Sequence, residues 1–172
     1  MNEALKVLKE RRSCRSYRPD PVPAEILDQI LEAGTYAATG MGKQSPIMIA
    51  VTDPETRNHL SAMNAAVWGK DGDPFYGAPV VIVVLADRAI RTYLYDGSLV
   101  MGNLMNAAHS LGVSSCWIHR AKEEFDSEEG KAILKGLGIE GDYEGIGHCV
   151  LGYAAQEPAP AKPRKENYIY RI

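Results

Sequence analysis

Hydrophobic and polar positions change period several times along the chain, and each change marks a new element. The stretch PAEILDQILEAGTYAA puts Ile26, Leu27, Ile30 and Leu31 on one helical face, the spacing of an amphipathic helix against a core. A short charged helix is expected before it, over about Asn2–Glu10. After it, TGMGKQSP interrupts the helix with two glycines and a proline, and IMIAVT reads as a strand, so a loop joins the two. Pro54–Ala66 reads as a helix, and GKDGDPFYGAP as an irregular connection. VVIVVLAD, rich in β-branched residues, is the clearest buried strand. From Thr92 to Leu111 only Asp96 carries a full charge, which predicts a long helix buried on several sides. Gly97, Gly102, Asn103 and Asn106 make that helix too polar to cross a membrane. VSSCWIH and GIGHCVLGY are two further strands with the helix SEEGKAILKGL between them, so the class is mixed α and β.

At 172 residues and 45% hydrophobic content the chain is long enough for one sizeable core and too short for a second domain. From Gln156 the composition shifts to EPAPAKPRKENYIYRI. Its closely spaced prolines preclude a regular helix, so this end is read as an arm. Tyr168, Ile169, Tyr170 and Ile172 are expected to pack on something, as an edge strand or against a partner.

Charge changes the picture at one place. The formal net charge of −3 and a pI near 5.8 argue against a general nucleic-acid-binding surface, which needs excess positive charge. Yet RRSCRSYRPD crowds Arg11, Arg12, Arg15 and Arg18 together. A solvated charge run is one reading. The other is an anion site, because forked guanidinium groups beside the Ser13 hydroxyl suit a phosphate or the polar edge of a heterocycle. A second basic group, Lys162, Arg164 and Lys165, lies in the proline-rich arm, and the two ends of the chain are expected to meet on one phosphate.

Other candidate chemistry is weaker. Cys14, Cys116 and Cys149 form no CxxC pair and are odd in number, so neither a zinc site nor a disulfide framework is expected. Reduced thiols, together with the Lys6, Lys9 and Glu10 charges near the start, lead to the expectation of a cytoplasmic protein with no membrane partner. GLGIEG, Gly136–Gly141, has the letters of a dinucleotide fingerprint but closes a helix instead of opening one, so Gly136 or Gly138 is read as a helix C-cap. His109 is expected to be a hydrogen-bonded structural residue and Cys116 a buried strand residue. No G-x-S-x-G is present.

Taken together, RRSCRSY, AATGMGKQSP, NLMNAAHSLGVSSCWI and LGYAAQEPAPAKPRK resemble, in this order, four motifs of the FMN-dependent nitroreductase family. The resemblance extends over nearly the whole chain. It implies one FMN-binding domain over residues 1–172 with a C-terminal arm from about 156. The implied fold is α+β, a central, mostly antiparallel sheet flanked by helices, assembled as an intertwined homodimer.

The resemblance also implies site residues. Arg11, Ser13 and Arg15 fall at the FMN phosphate, ribityl chain and pyrimidine edge with Arg12 beside them, and Lys162 and Arg164 fall at the phosphate. Thr39, Gly40 and Gly42 lie in the loop that reaches flavin across the dimer interface. Trp117, Ile118 and His119 lie at the flavin ring, with Asn64 at the ring edge. No side chain is assigned a catalytic role, and no metal is implied. The implied activity is ping-pong hydride transfer from NADH or NADPH through FMN to a small electron acceptor such as a nitroaromatic or quinone. The alternatives are a flavin-binding or sensing protein with little turnover and a flavin enzyme of another reaction, such as reductive dehalogenation. Gly42, Ser45–Pro46 and the Gly152–Ala154 segment depart from the family's usual residues, which bears on acceptor preference.

Overall fold

A computed structural model describes residues 1–172. In chain order the elements are α1 (Glu3–Glu10), α2 (Ala24–Thr35), a 3-10 turn (Gly40–Gly42), β1 (Pro46–Val51), α3 (Pro54–Trp68) and β2 (Val80–Asp87). Then follow α4 (Tyr93–Ser110), β3 (Ser114–Ile118), α5 (Ala121–Asp126), α6 (Glu128–Gly136) and β4 (Tyr143–Gly152). Caps explain the helix starts: Asn2, Asp53 and Ser127 each accept a backbone N–H three residues on, from Leu5, Thr56 and Gly130, and so satisfy donors that the first turn leaves free.

The four strands pair antiparallel in the order β1-β2-β4-β3. β2 sits in the middle and is buried on both faces, which is why it reads as a continuous apolar run. Its side chains alternate between two cores. Val81, Val83 and Leu85 pack with Leu60, Phe125 and Leu134 of α3, α5 and α6, whereas Val80, Ile82 and Val84 pack with Leu27, Ile30, Met101 and Leu104 of α2 and α4. The result is a sheet between two helical layers, an α+β architecture.

Three expectations change. α4 is not buried on several sides: it buries one face through Asp96, Gly97, Val100, Met101, Leu104 and Ala108, while Leu94, Tyr95 and Leu99 are exposed. α5 had no periodic signal, being only six residues long. The arm forms no strand within the single chain, and Tyr168, Ile169, Tyr170 and Ile172 are all exposed. The GLGIEG motif does close a helix, with Gly136 the last residue of α6 and Gly138 in left-handed backbone at φ 70°.

The N-terminal arginine segment lies along the open edge of the sheet. Cys14 donates its N–H to the Ser115 carbonyl at 2.9 Å, Arg18 to that of Tyr153 at 2.8 Å, and Ala155 returns a bond to Ser16 at 2.9 Å. Residues 13–18 are thereby held between β3 and the chain leaving β4. One glycine fits the sheet to the site: a Cβ on Gly147 of β4 would overlap the Trp117 indole. Gly147→Ala should therefore displace that ring and destabilise the fold by about 1–3 kcal/mol, the usual cost of overpacking. Denaturant unfolding and near-UV circular dichroism check this. Full stability with an unchanged tryptophan signal would contradict the packing account.

Candidate active site: an arginine-lined cleft

Along residues 13–18 Cys14 and Tyr17, three positions apart, turn into the core, and Arg15 and Arg18 stay outside. Tyr17 donates its hydroxyl to the Cys14 carbonyl at 3.1 Å, and burial drives its pKa upward, so the phenol stays neutral. The outer side of the segment borders three cavities that share residues. A cavity of about 410 Å³ runs between Arg12–Ser16 and Gln156–Pro160 of the arm. One of about 290 Å³ lies by Arg11, Arg12, His109, Ser114 and Ser115, with Glu10 and Glu157 at its sides. A third, about 220 Å³, joins Arg15 to Trp117, Ile118 and His119 and is walled by Trp68, Tyr76 and Arg120.

Within this cleft Arg11 Nη1 and Ser115 Oγ are buried and have no hydrogen-bond partner. Arg12 differs from its neighbours: its guanidinium turns back to the carbonyls of Lys9 (2.8 Å) and Arg11 (2.7 Å) and closes the end of α1. His109 makes no side-chain hydrogen bond, contrary to expectation, and faces the arginines from the last turn of α4. Cys116 is a buried strand residue, as expected, and burial raises its thiol pKa. Cys149 is pushed up to about 12 for the same reason.

Asn64 is fully buried in α3 behind the third cavity, with its amide already committed. Its Nδ2 donates to the His119 carbonyl at 2.9 Å and to Glu124, and its Oδ1 accepts from Arg120 Nε (3.0 Å) and Nη2 (2.8 Å). Asn64 thus shapes the site from behind. Glu124 in turn lies beside the fully buried His148, with Oε2 and Nε2 3.1 Å apart but off the line of a hydrogen bond.

Thr39, Gly40 and Gly42 are not brought to this cleft. They lie at the opposite end of α4, where Gly40 donates its N–H to Asp96 at 2.9 Å. A Cβ on Gly40 would overlap Thr92. Asp96 is the anchor there, 2% exposed and also accepting from Ser45 (2.8 Å) and Thr92 (3.0 Å). Lys162 and Arg164 are exposed, and Arg164 folds onto the Lys162 carbonyl at 2.6 Å, so the arm meets the arginine segment through Gln156–Pro160 instead. Trp68, Tyr76 and Arg120 had no signal in the sequence, since each is isolated from any motif, while Ser115 lies inside the VSSCWI motif and Asp96 is the one charge of α4, yet neither was read as a site residue.

The sheet, its two helical layers and the cleft define an α+β protein with an arginine-lined groove on the open strand edge. The chain belongs to the nitroreductase family, whose model matches residues 8–153. It is similar over its whole length to a nitroreductase with bound FMN from Bacteroides fragilis, at 30% identity and a TM-score of 0.90, each chain being covered completely. A nitroreductase with bound FMN from Desulfitobacterium hafniense is similar at 29% identity and a TM-score of 0.89, again with complete coverage of both chains. An FMN reductase of Bacillus subtilis that uses NAD(P)H is 38% identical over 138 residues, which is 67% of this chain and 53% of that protein. The chain spans less than two thirds of the length of most of the curated relatives it matches.

Asp96 gives the fold a pH dependence. Burial pushes its carboxyl up, but the Gly40 N–H and the Ser45 and Thr92 hydroxyls outweigh burial and hold it below the usual carboxylate range. Its contribution is therefore complete above the unfolded value of about 3.9 and is lost as pH falls through the lower folded value. Asp96→Asn should cost about 1–3 kcal/mol at neutral pH. The gap from wild type should narrow below about pH 4, as measured by urea unfolding across pH. A gap that is constant down to pH 2 would show that the Asp96 charge does not hold the loop.

Proposed function

We propose that the protein is an FMN-dependent oxidoreductase that takes electrons from NADH or NADPH and passes them to a small electron-poor acceptor, a nitroaromatic or a quinone. The observation that carries this reading is the pair of unspent buried donors, Arg11 Nη1 and Ser115 Oγ, beside Ser13 and Arg15. An unpaired buried donor costs about 1–3 kcal/mol, and more when charged. A phosphate or the polar edge of a flavin satisfies such donors, so the residues present fit the cofactor. The two nitroreductases that match the whole chain carry FMN, and the Bacillus subtilis relative uses NAD(P)H.

When bound, FMN supplies the two-electron chemistry between nucleotide and acceptor. The chain's residues bind and orient it. Arg11 and Ser115 would hold its phosphate, Ser13 and Arg15 its other polar atoms, and Trp117–His119 would border its ring. One cleft serves donor and acceptor in turn, which makes the order ping-pong. Raised thiol pKa values keep Cys116 and Cys149 protonated, so neither competes as a nucleophile. The buried free thiols of Cys14, Cys116 and Cys149 support a cytoplasmic setting.

A homodimer is part of the proposal. α4 has 18 residues, so its ends are roughly 26 Å apart, and Thr39–Gly42 and Arg11 sit near opposite ends. One chain cannot bring both to a single flavin, whereas a second copy can. Exposed apolar residues support an interface of this kind: Leu94, Tyr95 and Leu99 on α4, Leu5 and Leu8 on α1, and the aromatic arm. Lys162 and Arg164, free of acidic partners within the chain, are proposed to reach the phosphate in that assembly.

Purified protein should carry a flavin absorbance that NADH or NADPH bleaches and a nitroaromatic restores. Binding without bleaching would make it a carrier or sensor. Arg11→Ala should weaken FMN by roughly 1.5–3 kcal/mol, with a smaller loss for riboflavin, which lacks the phosphate. Equal losses in a fluorescence titration of both flavins would remove Arg11 from the phosphate. Truncation after Ala161 should produce a monomer with little FMN, and a flavin-loaded dimer in sedimentation would leave the arm without either role.

A further inference from the structure

We infer that Glu124 and His148, a buried acid–base pair behind the cleft, are positioning residues for flavin reduction: through Asn64 they hold the His119–Arg120 peptide and thereby raise the reduction potential of the bound flavin. The inference rests on the proposed reading of the cleft as the flavin site.

Neither residue lines the cavities of the cleft. Both side chains are fully buried, with Glu124 Oε2 3.1 Å from His148 Nε2. The sheet fixes His148, which stands opposite Val83 of β2 and Ile118 of β3, and its ring packs on Phe75 with centroids 5.1 Å apart. Glu124 is fixed by the close seating of α5, since a Cβ on Gly145 of β4 or on Gly130 of α6 would overlap the α5 backbone. Glu124 Oε2 and both His148 ring nitrogens make no hydrogen bond. An apolar pair of like volume would fill this slot without the cost of desolvation, so stability does not account for the two groups.

Their use lies at Asn64. Its Nδ2 donates to Glu124 Oε1 and to the His119 carbonyl, while its Oδ1 accepts from Arg120. Because Oε1 takes an amide N–H, any proton held by the pair sits on Oε2 or on the imidazole, and a base beside Oε2 keeps Oε1 a charged acceptor. Flipping the amide would turn its carbonyl to Glu124 and its NH₂ to the Arg120 cation. Asn64 therefore has one orientation, and it draws the His119 carbonyl toward the core.

Arg120 has left-handed backbone at φ 77°, a conformation that persists only where its surroundings hold it. The peptide before it is trans, so the Arg120 N–H points away from Asn64, toward the side on which His119 and Arg120 line the third cavity. That N–H donates to no group of the chain. A hydrogen bond accepted by the carbonyl of a peptide strengthens its N–H as a donor. A fixed donor beside the flavin favours the electron-rich reduced form, which needs no reorganisation of the protein to be stabilised.

The test compares Glu124→Leu, which cannot accept from Asn64, with Glu124→Gln, whose carbonyl can. Glu124→Leu should lower the two-electron reduction constant of bound FMN about tenfold, a fall of about 30 mV in midpoint potential, with FMN content unchanged. At saturation NADH should bleach its flavin about tenfold more slowly, and the half-saturating NADH concentration should stay the same. Glu124→Gln should restore most of both losses. His148→Phe, which leaves Oε2 without its base, should lower the potential in the same direction. A rise in potential in Glu124→Leu would mean that the carboxylate acts by its charge alone and would overturn the inference. So would an unmoved potential in Glu124→Leu or His148→Phe, loss of FMN, or equal losses in Glu124→Leu and Glu124→Gln.

Amide ¹H–¹⁵N spectra need no flavin. In the wild type the Asn64 NH₂ should exchange slowly with deuterium, and its signals and that of the Arg120 N–H should move in Glu124→Leu and less in Glu124→Gln. Should the protein take up no FMN, the flavin reading fails by itself, and these spectra decide whether the pair holds the peptide. An Arg120 signal indifferent to Glu124→Leu overturns that hold. Where Glu124→Leu does not fold, the double variant Glu124→Leu with His148→Phe, which leaves no polar group of the pair, carries the same measurements. The wild-type exchange needs no variant, and an Asn64 NH₂ that exchanges as fast as an exposed amide overturns the inference by itself.

Discussion

The hydrogen bonds from Cys14 to Ser115 and from Arg18 to Tyr153 are the constraint on which the cleft depends. They give the exposed side of β3 a partner and convert a run of arginines into one wall of a groove. Burial of Cys14 and Tyr17 drives the pairing, since both side chains leave water for the core while the backbone of the segment bonds along the sheet edge. The outward set, Arg15 among it, is thereby aimed along the sheet edge. Without the pairing these cations would be an ordinary solvated stretch at the end of α1.

Behind the groove, a second level of structure decides which polar groups remain available. Arg12 is spent on closing α1, Asn64 on Arg120, Glu124 and His119, and Arg57 on Asp73. Arg11 Nη1, Ser115 Oγ and Arg120 Nη1 are what this leaves, and they line the connected cavities. Backbone strain follows the same map. Of the five non-glycine residues with positive φ, Met41 lies inside the Gly40–Gly42 turn and Gln44 just after it, and Tyr76 and Arg120 both line the third cavity. Strain persists where surrounding contacts over-determine a position, as the Asn64 hydrogen bonds do at Arg120 and the Asp73 bonds to Phe75 and Gly77 do beside Tyr76.

The elements themselves were legible in the chain. β2 is the segment its apolar run marks, and α2, α3, α4 and β4 begin and end within a few residues of where their period changes. The concentration of cations in the arginine segment was legible, and so were the four ordered motifs of the nitroreductase family. Legibility stopped at side-chain commitments. Arg12 and Arg11 look alike in RRSCRSY, yet one is folded onto helix carbonyls and the other is left with an unpaired buried nitrogen. α4 was expected to be buried on several sides because an exposed residue such as Leu99 and a core residue such as Leu104 are the same letter.

Local periodicity, caps and breakers act between residues a few positions apart, and they determined the elements, their order and the location of the cations. The contacts that make the site join residues far apart in sequence: Asn64 to Arg120 across 56 positions, Gly40 to Asp96 across another 56. No period or spacing encodes such pairs, because each forms only after the sheet has brought α3 beside β3 and the glycine turn beside α4. The tertiary structure alone therefore decided which arginine stays free and which carboxylate anchors a loop, and it put Trp68, Tyr76 and Arg120 around one cavity.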